Sequence, residues 1–131
     1  MEEALTDYLL GASGLTAIVG QRITWSTRPQ GSDLPAVVLT AIDALPDYTN
    51  GGPSGLVSSR IQIDCWGATY ASSKTTARAV TSRLSGVDAI QGAVKLRGGF
   101  QQGERDSFER GQGGSELYRA SLDFILWTSA A

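Results

Sequence analysis

Residues 116–127 alternate so regularly that only an extended conformation suits them. Tyr118, Ala120, Leu122, Phe124 and Leu126 share one parity, and Arg119, Ser121, Asp123, Ile125 and Trp127 share the other. A period of two sends successive side chains to opposite faces of a strand, so one face is apolar and needs cover. Residues 56–66 repeat the pattern, with Ile61, Ile63 and Cys65 alternating against Arg60, Gln62, Asp64 and Trp66. Two such strands imply a sheet with something apolar packed on it.

The cover is predicted from helical spacing. In residues 2–10, Ala4, Leu5, Tyr8 and Leu9 fall on one face, Glu2 and Glu3 suit the N-terminal dipole, and Gly11 is a stop. Leu15, Ile18 and Val19 suggest one further turn before Gly20. Thr69 can cap a second helix to about Leu84, with Tyr70, Ala77, Val80 and Leu84 on its apolar face and Ser73, Lys74, Arg78, Ser82 and Arg83 mostly elsewhere.

Other segments are read from turn chemistry and β propensity. Residues 21–26 are a possible first strand, 28–33 a loop, and 36–42 a second strand opened by Pro35. Residues 43–55 read as a long polar loop, because Pro46, Asp47, Asn50-Gly51-Gly52 and Pro53 crowd it. Residues 87–96 read as a strand. Residues 98–115, rich in glycine, resist assignment beyond a short twisted strand around 101–108 and a flexible stretch at 111–114. The expected fold is one α+β domain over residues 1–131, a mainly antiparallel sheet with two helices packed on one face.

Composition excludes several chemistries. The chain has 131 residues, enough to bury about two thirds of its unfolded surface in one core without staples. It has no histidine, which removes Ser-His-Asp and Cys-His catalysis and the commonest metal ligand. Cys65 is the single cysteine, so no intrachain disulfide forms; its place on the apolar parity makes it a buried hydrophobe. Net charge is −2, with 11 basic and 13 acidic residues and no basic run, which argues against tight nucleic-acid binding. The start of the chain lacks a secretion signal, and no apolar stretch is long enough to span a membrane.

Each candidate site has a bland reading beside it. Asp43, Asp47, Asp64 and Asp123 lack the supporting groups of paired catalytic acids, and Asp64 and Asp123 on outward parities suit ordinary ion pairs with Arg60 or Arg119. The glycine clusters match no phosphate-binding motif. Trp66 and Trp127 sit on the polar parity near strand ends, where either a covering helix or a subunit interface would explain them. No catalytic, cofactor-binding or metal-binding residue emerges.

A resemblance runs through nearly the whole chain. Ile18-Val19-Gly20-Gln21-Arg22-Ile23 follows the Leu-rich first helix, and Leu34-Pro35-Ala36-Val37-Val38 and Pro46-Asp47-Tyr48-Thr49 come next. Gly52-Pro53-Ser54-Gly55-Leu56-Val57, Arg60-Ile61-Gln62-Ile63-Asp64-Cys65-Trp66, Ala68-Thr69-Tyr70 and Leu117-Tyr118-Arg119-Ala120-Ser121-Leu122-Asp123-Phe124 complete it. In this order and spacing the chain resembles the tail-completion, or tail-terminator, proteins of long-tailed bacteriophages and gene transfer agents. Residues 85–115 depart from the pattern.

The resemblance implies a structural protein of the virion, assembled in the host cytoplasm. It implies a homo-hexameric ring at the head-proximal end of the tail, which stops the tail tube protein from polymerising and joins the head-tail connector (stopper). DNA would pass through without sequence-specific contacts. No cofactor and no enzymatic activity are implied. The alternatives are another connector or minor tail protein and, from a different class, a small cytosolic enzyme or ligand-binding domain. Interface candidates are Asp47 and Tyr48 in the first long loop, Glu104 and Arg105 in the second, and Trp66, Ile125 and Trp127 on the outward strand face.

Overall fold

The structure, a computed structural model, describes residues 1–27, 33–110 and 116–131. Helices α1 (Glu2–Leu10) and α2 (Ser13–Val19) come first, followed by strands β1 (Ile23–Trp25), β2 (Ala36–Thr49) and β3 (Gly52–Gly67). Helix α3 (Tyr70–Leu84) follows, then β4 (Asp88–Gln91), β5 (Val94–Arg110) and β6 (Glu116–Ala130). The strands form one sheet in the order β1-β2-β3-β6-β5-β4, curled into a half-barrel. Only the β1–β2 pair is parallel.

The expected α+β class holds, with corrections. Three helices cover the sheet instead of two, because Leu15 and Val19 anchor α2 as a separate buried element. The sheet is mixed. Residues 43–49 and 52–55, read as loop, continue β2 and β3 as a hairpin, and the short strand expected around 101–108 is part of the longer β5, which takes in residues 98–110. Residues 87–96 are two strands joined by a turn at Gly92 and Ala93. The loop expected at 28–33 and the glycine-rich stretch at 111–114 fall, apart from Asp33, outside the described residues.

The core lies between the helices and one face of the sheet. Leu5 and Leu9 of α1, Leu15 and Val19 of α2, and Ala77, Val80 and Leu84 of α3 meet Val37, Leu39, Ile61, Ile63, Cys65, Leu122, Phe124 and Leu126 from the strands. Thr69 caps α3 as expected, its Oγ1 accepting from Ser72 N at 3.1 Å. The buried stripe of α3 begins at Ser73, not Tyr70, which is 53% exposed. Ser73 and Thr76 can be buried because each hydroxyl donates to a carbonyl of its own helix, at 2.8 and 2.9 Å. Gly67 lets the helix approach: a Cβ there would lie 2.6 Å from Ser73 N.

Candidate assembly interface

Length sets the first feature of the site. β2, β3, β5 and β6 have 14, 16, 17 and 15 residues, about two and a half to three times the usual strand. The core is too small to cover them all. β6 pairs with β3 from Val57 to Gly67, so residues 52–56 of β3 touch only β2. The hairpin therefore leaves the sheet as a two-stranded tip over residues 47–56, and with the free edge of β2 that leads to it from Ala41 it makes an arm of residues 41–57, exposed along residues 41–50.

Bulges and a tight turn shape this arm. Register shifts fall between Ala41 and Asp43 and between Pro46 and Tyr48. Pro46 is tolerated because β2 is a free edge here and carries a bulge next to it. Asn50 and Gly51 form the turn, where Thr49 Oγ1 accepts from Gly51 N at 3.2 Å and donates to Gly52 O at 3.1 Å. Asp47 accepts from Ser54 Oγ at 2.9 Å across the hairpin. Three large apolar side chains stand out on the arm, Ile42, Leu45 and Tyr48, at 47, 64 and 66% exposed. An isolated two-stranded hairpin is marginally stable in water, so such an extension calls for a partner.

The second feature is the sheet face away from the helices. Cross-strand register puts Trp127 between Ser58 and Arg97, Ile125 between Arg60 and Phe100, and Arg119 between Trp66 and Ser107. Trp127, Ile125 and Trp66 are half-buried there. The Arg119 guanidinium lies 5.2 Å from the Trp66 ring centre, within cation–π range. Phe100 is 56% exposed. Arg105 pairs with Asp123, and Asp64 is buried, accepting from Ser121 Oγ at 2.6 Å and from Gln62 Nε2 at 3.1 Å. These partners replace the Arg60 and Arg119 pairings expected for the two acids. The network gives both carboxylates partners within the sheet.

The third feature lies on the helix side of β5. Lys74 of α3 bridges Glu104 and Asp106 on β5, which keeps its ammonium protonated above the usual lysine range. Tyr70 donates to Asp106 at 3.2 Å and packs edge-on to Tyr118, whose ring also meets Phe108. An open groove of about 560 Å³ runs beside them, lined by Lys74, Arg78, Thr81, Ser82, Gln101 and Glu104. β4 pairs with β5 only as far as Arg97, so residues 100–110 of β5 form a free edge.

The seven residues proposed from sequence thus divide among three surfaces. Trp66, Arg105, Ile125 and Trp127 share the open sheet face. Asp47 and Tyr48 lie on the arm, and Glu104 faces the helix side. Sequence reasoning missed Ile42, Leu45, Phe100, Phe108, Tyr70 and Arg78. Asn50-Gly51 flanked by chain of β character was the available signal for the arm, since Asn-Gly is the strongest short hairpin signature. Among the described residues no group of acids and cysteine could hold a metal ion. No described helix is long and apolar enough to cross a membrane.

The family model for "Tail completion protein gp17" matches residues 3–129. This chain belongs to that family. It is a tail-completion protein of the bacteriophage and gene-transfer-agent kind, a structural component of the virion. A solved chain from the virion of a native gene transfer agent particle has the same fold, at TM-score 0.76 and 21% identity, covering 98% of this chain and 94% of that one. A second solved chain, at TM-score 0.48 and 12% identity, covers 99% of this chain and 89% of that one and is too distant to add weight. No curated protein matches.

Proposed function

We propose that this tail-completion protein acts as a homo-hexameric ring at the head-proximal end of the tail. The ring caps the tail tube and offers the head connector a different surface. The observation that carries this reading is the β2–β3 arm, whose exposed Ile42, Leu45 and Tyr48 have no partner in their own core. A contact repeated around an axis uses two different patches per subunit, and an arm on one side with an open surface on the other supplies them. At about 800 Å² per patch, roughly a quarter of a monomer of 7005 Å² would be covered.

The mechanism is steric. One side of the ring matches the tube symmetry and the other does not, so further tube subunits find no complementary face while the connector does. DNA passes through the channel without sequence-specific contacts, in keeping with the net charge of −2. Asp47, Tyr48, Trp66, Glu104, Arg105, Ile125 and Trp127 are the interface residues of this reading. Deleting the gene tests it. Filled heads without tails, together with tails of uncontrolled length, are expected; normal head-joined tails in the deletion strain would rule out a terminating role. Light scattering on the purified protein, alone and with tail tube, should find a six-copy species, and a dimer under all conditions would overturn the ring.

A further inference from the structure

We infer that the β2–β3 arm of one copy docks on the α3–β5 surface of the next, with Asp43 directed to Arg78. This rests on the ring reading and names the contact that would close it.

Charge gives the first argument. Residues 41–57 contain Asp43 and Asp47 and no lysine or arginine. Helix α3 contains Lys74, Arg78 and Arg83 and no acid. Lys74 is already matched by Glu104 and Asp106, and Arg83 is held by Tyr8. Arg78 is exposed at the groove and makes no ion pair among the described residues. Asp43, which stands opposite Arg60 in register, and Arg78, which lies beside the Lys74–Glu104 pair, each make no ion pair among the described residues. Complementary potentials of this kind favour one docked register over others.

Apolar and backbone groups give the second. Tyr70 and Phe108 are 53 and 48% exposed beside the groove, and Ile42, Leu45 and Tyr48 need such cover. Tyr70 and Arg78 lie about 12 Å apart along the helix. Asp43 and Tyr48 are roughly 15 Å apart along the arm, so an arm with Asp43 at Arg78 brings Tyr48 to the aromatic pair. Both partners are free edges, β2 beyond its three-residue pairing with β1 and β5 beyond Arg97. A long free edge is a template for another strand, and adding the arm there would satisfy backbone groups on both sides.

Charge reversal tests the contact. One chain carries Asp43→Lys with Asp47→Lys, and another carries Arg78→Glu. All three positions are exposed, so both chains should fold, as thermal denaturation will check. Each alone should assemble about tenfold or more weakly than wild type, because like charges then meet at every junction. A one-to-one mixture should recover assembly, since an alternating ring restores every junction. Wild-type assembly by both variants would overturn the inference and leave the ring reading intact. The second measurement gives the groove a lysine of its own. Arg78→Lys protein mixed from ¹⁴N and ¹⁵N preparations is treated with a zero-length carbodiimide, which joins carboxylates to lysines. Hybrid-mass peptides linking Asp43 to position 78 support the contact. Such peptides in a species that never closes would keep the contact and remove the ring; their absence, with or without a ring, removes the contact.

Discussion

Arg83 and Tyr8 hold each other at both ends of their side chains. The Arg83 guanidinium lies 3.8 Å from the centre of the Tyr8 ring and donates to the Tyr8 carbonyl at 2.9 and 2.8 Å. Tyr8 Oη in turn donates to the Arg83 carbonyl at 3.2 Å. This fastens α1 to the C-terminal turn of α3 and closes the helical layer that covers the sheet. Arg83→Ala should lower stability by about 2 kcal/mol, from lost charged hydrogen bonds and ring contact. Arg83→Lys should recover only part of it, since an ammonium lacks the fork. Chemical denaturation with unchanged slope would measure this; no change in midpoint for Arg83→Ala would show the pair to be a surface ornament.

Gly99 is where β5 passes under the end of α3. Its φ is +60°, its carbonyl accepts from Gly86 N at 3.2 Å, and a Cβ there would lie 1.7 Å from the Leu84 carbonyl oxygen. Gly99→Ala should cost roughly 3 kcal/mol, part from backbone strain and part from a clash with main chain that cannot yield. Gly92 is the control, with φ +62° and open space around its Cβ position. Gly92→Ala should cost about 1 kcal/mol for the left-handed backbone alone. Equal thermal shifts for the two variants would contradict the close packing of β5 against α3.

Cys65 is fully buried, and desolvation, with smaller contributions from Asp64 and Glu104, pushes its thiol well above its ordinary 9.0. Only the thiolate reacts, so native protein should label slowly with a thiol reagent and quickly in denaturant. The raised value also has a linkage consequence. The unfolded chain gives up this proton as pH rises past about 9 while the folded chain keeps it. The thiol's share of stability is therefore complete below pH 9 and declines above it. Cys65→Ala should flatten that decline relative to wild type. Rapid native labelling would mean that the inward parity of β3 is wrong.

Ile125 and Trp127 face away from the helices, next to Phe100 and Arg97 in register. Ile125→Lys should change folding stability by less than about 1 kcal/mol, since the residue is only half-buried. It should weaken assembly into tails if this sheet face is a contact. Unimpaired virion assembly by Ile125→Lys and Trp127→Lys together would remove the open sheet face from the interface.

Much of the framework was legible in the chain. The alternation from Tyr118 to Leu126 and from Ile61 to Cys65 determined two central strands and their buried face, because a period of two leaves no other arrangement for those side chains. Thr69, Ala77, Val80 and Leu84 determined α3 and its capped start. The absence of histidine and the single inward cysteine determined that the usual nucleophilic machinery could not be built. Tertiary structure decided the rest. Pro46, Gly52, Pro53 and Gly55 read locally as loop; they are strand because an arm with free edges tolerates missing donors and bulges. Residues 98–110 read as no more than a short strand around 101–108 because Gly98 and Gly99 interrupt the pattern, and they are strand to Arg110 because β6 supplies a partner. Which exposed residues share a surface was also beyond local reading. Arg78, Tyr70 and Phe108 come together only when α3 lies along β5, and that depends on side-chain packing between segments some thirty residues apart.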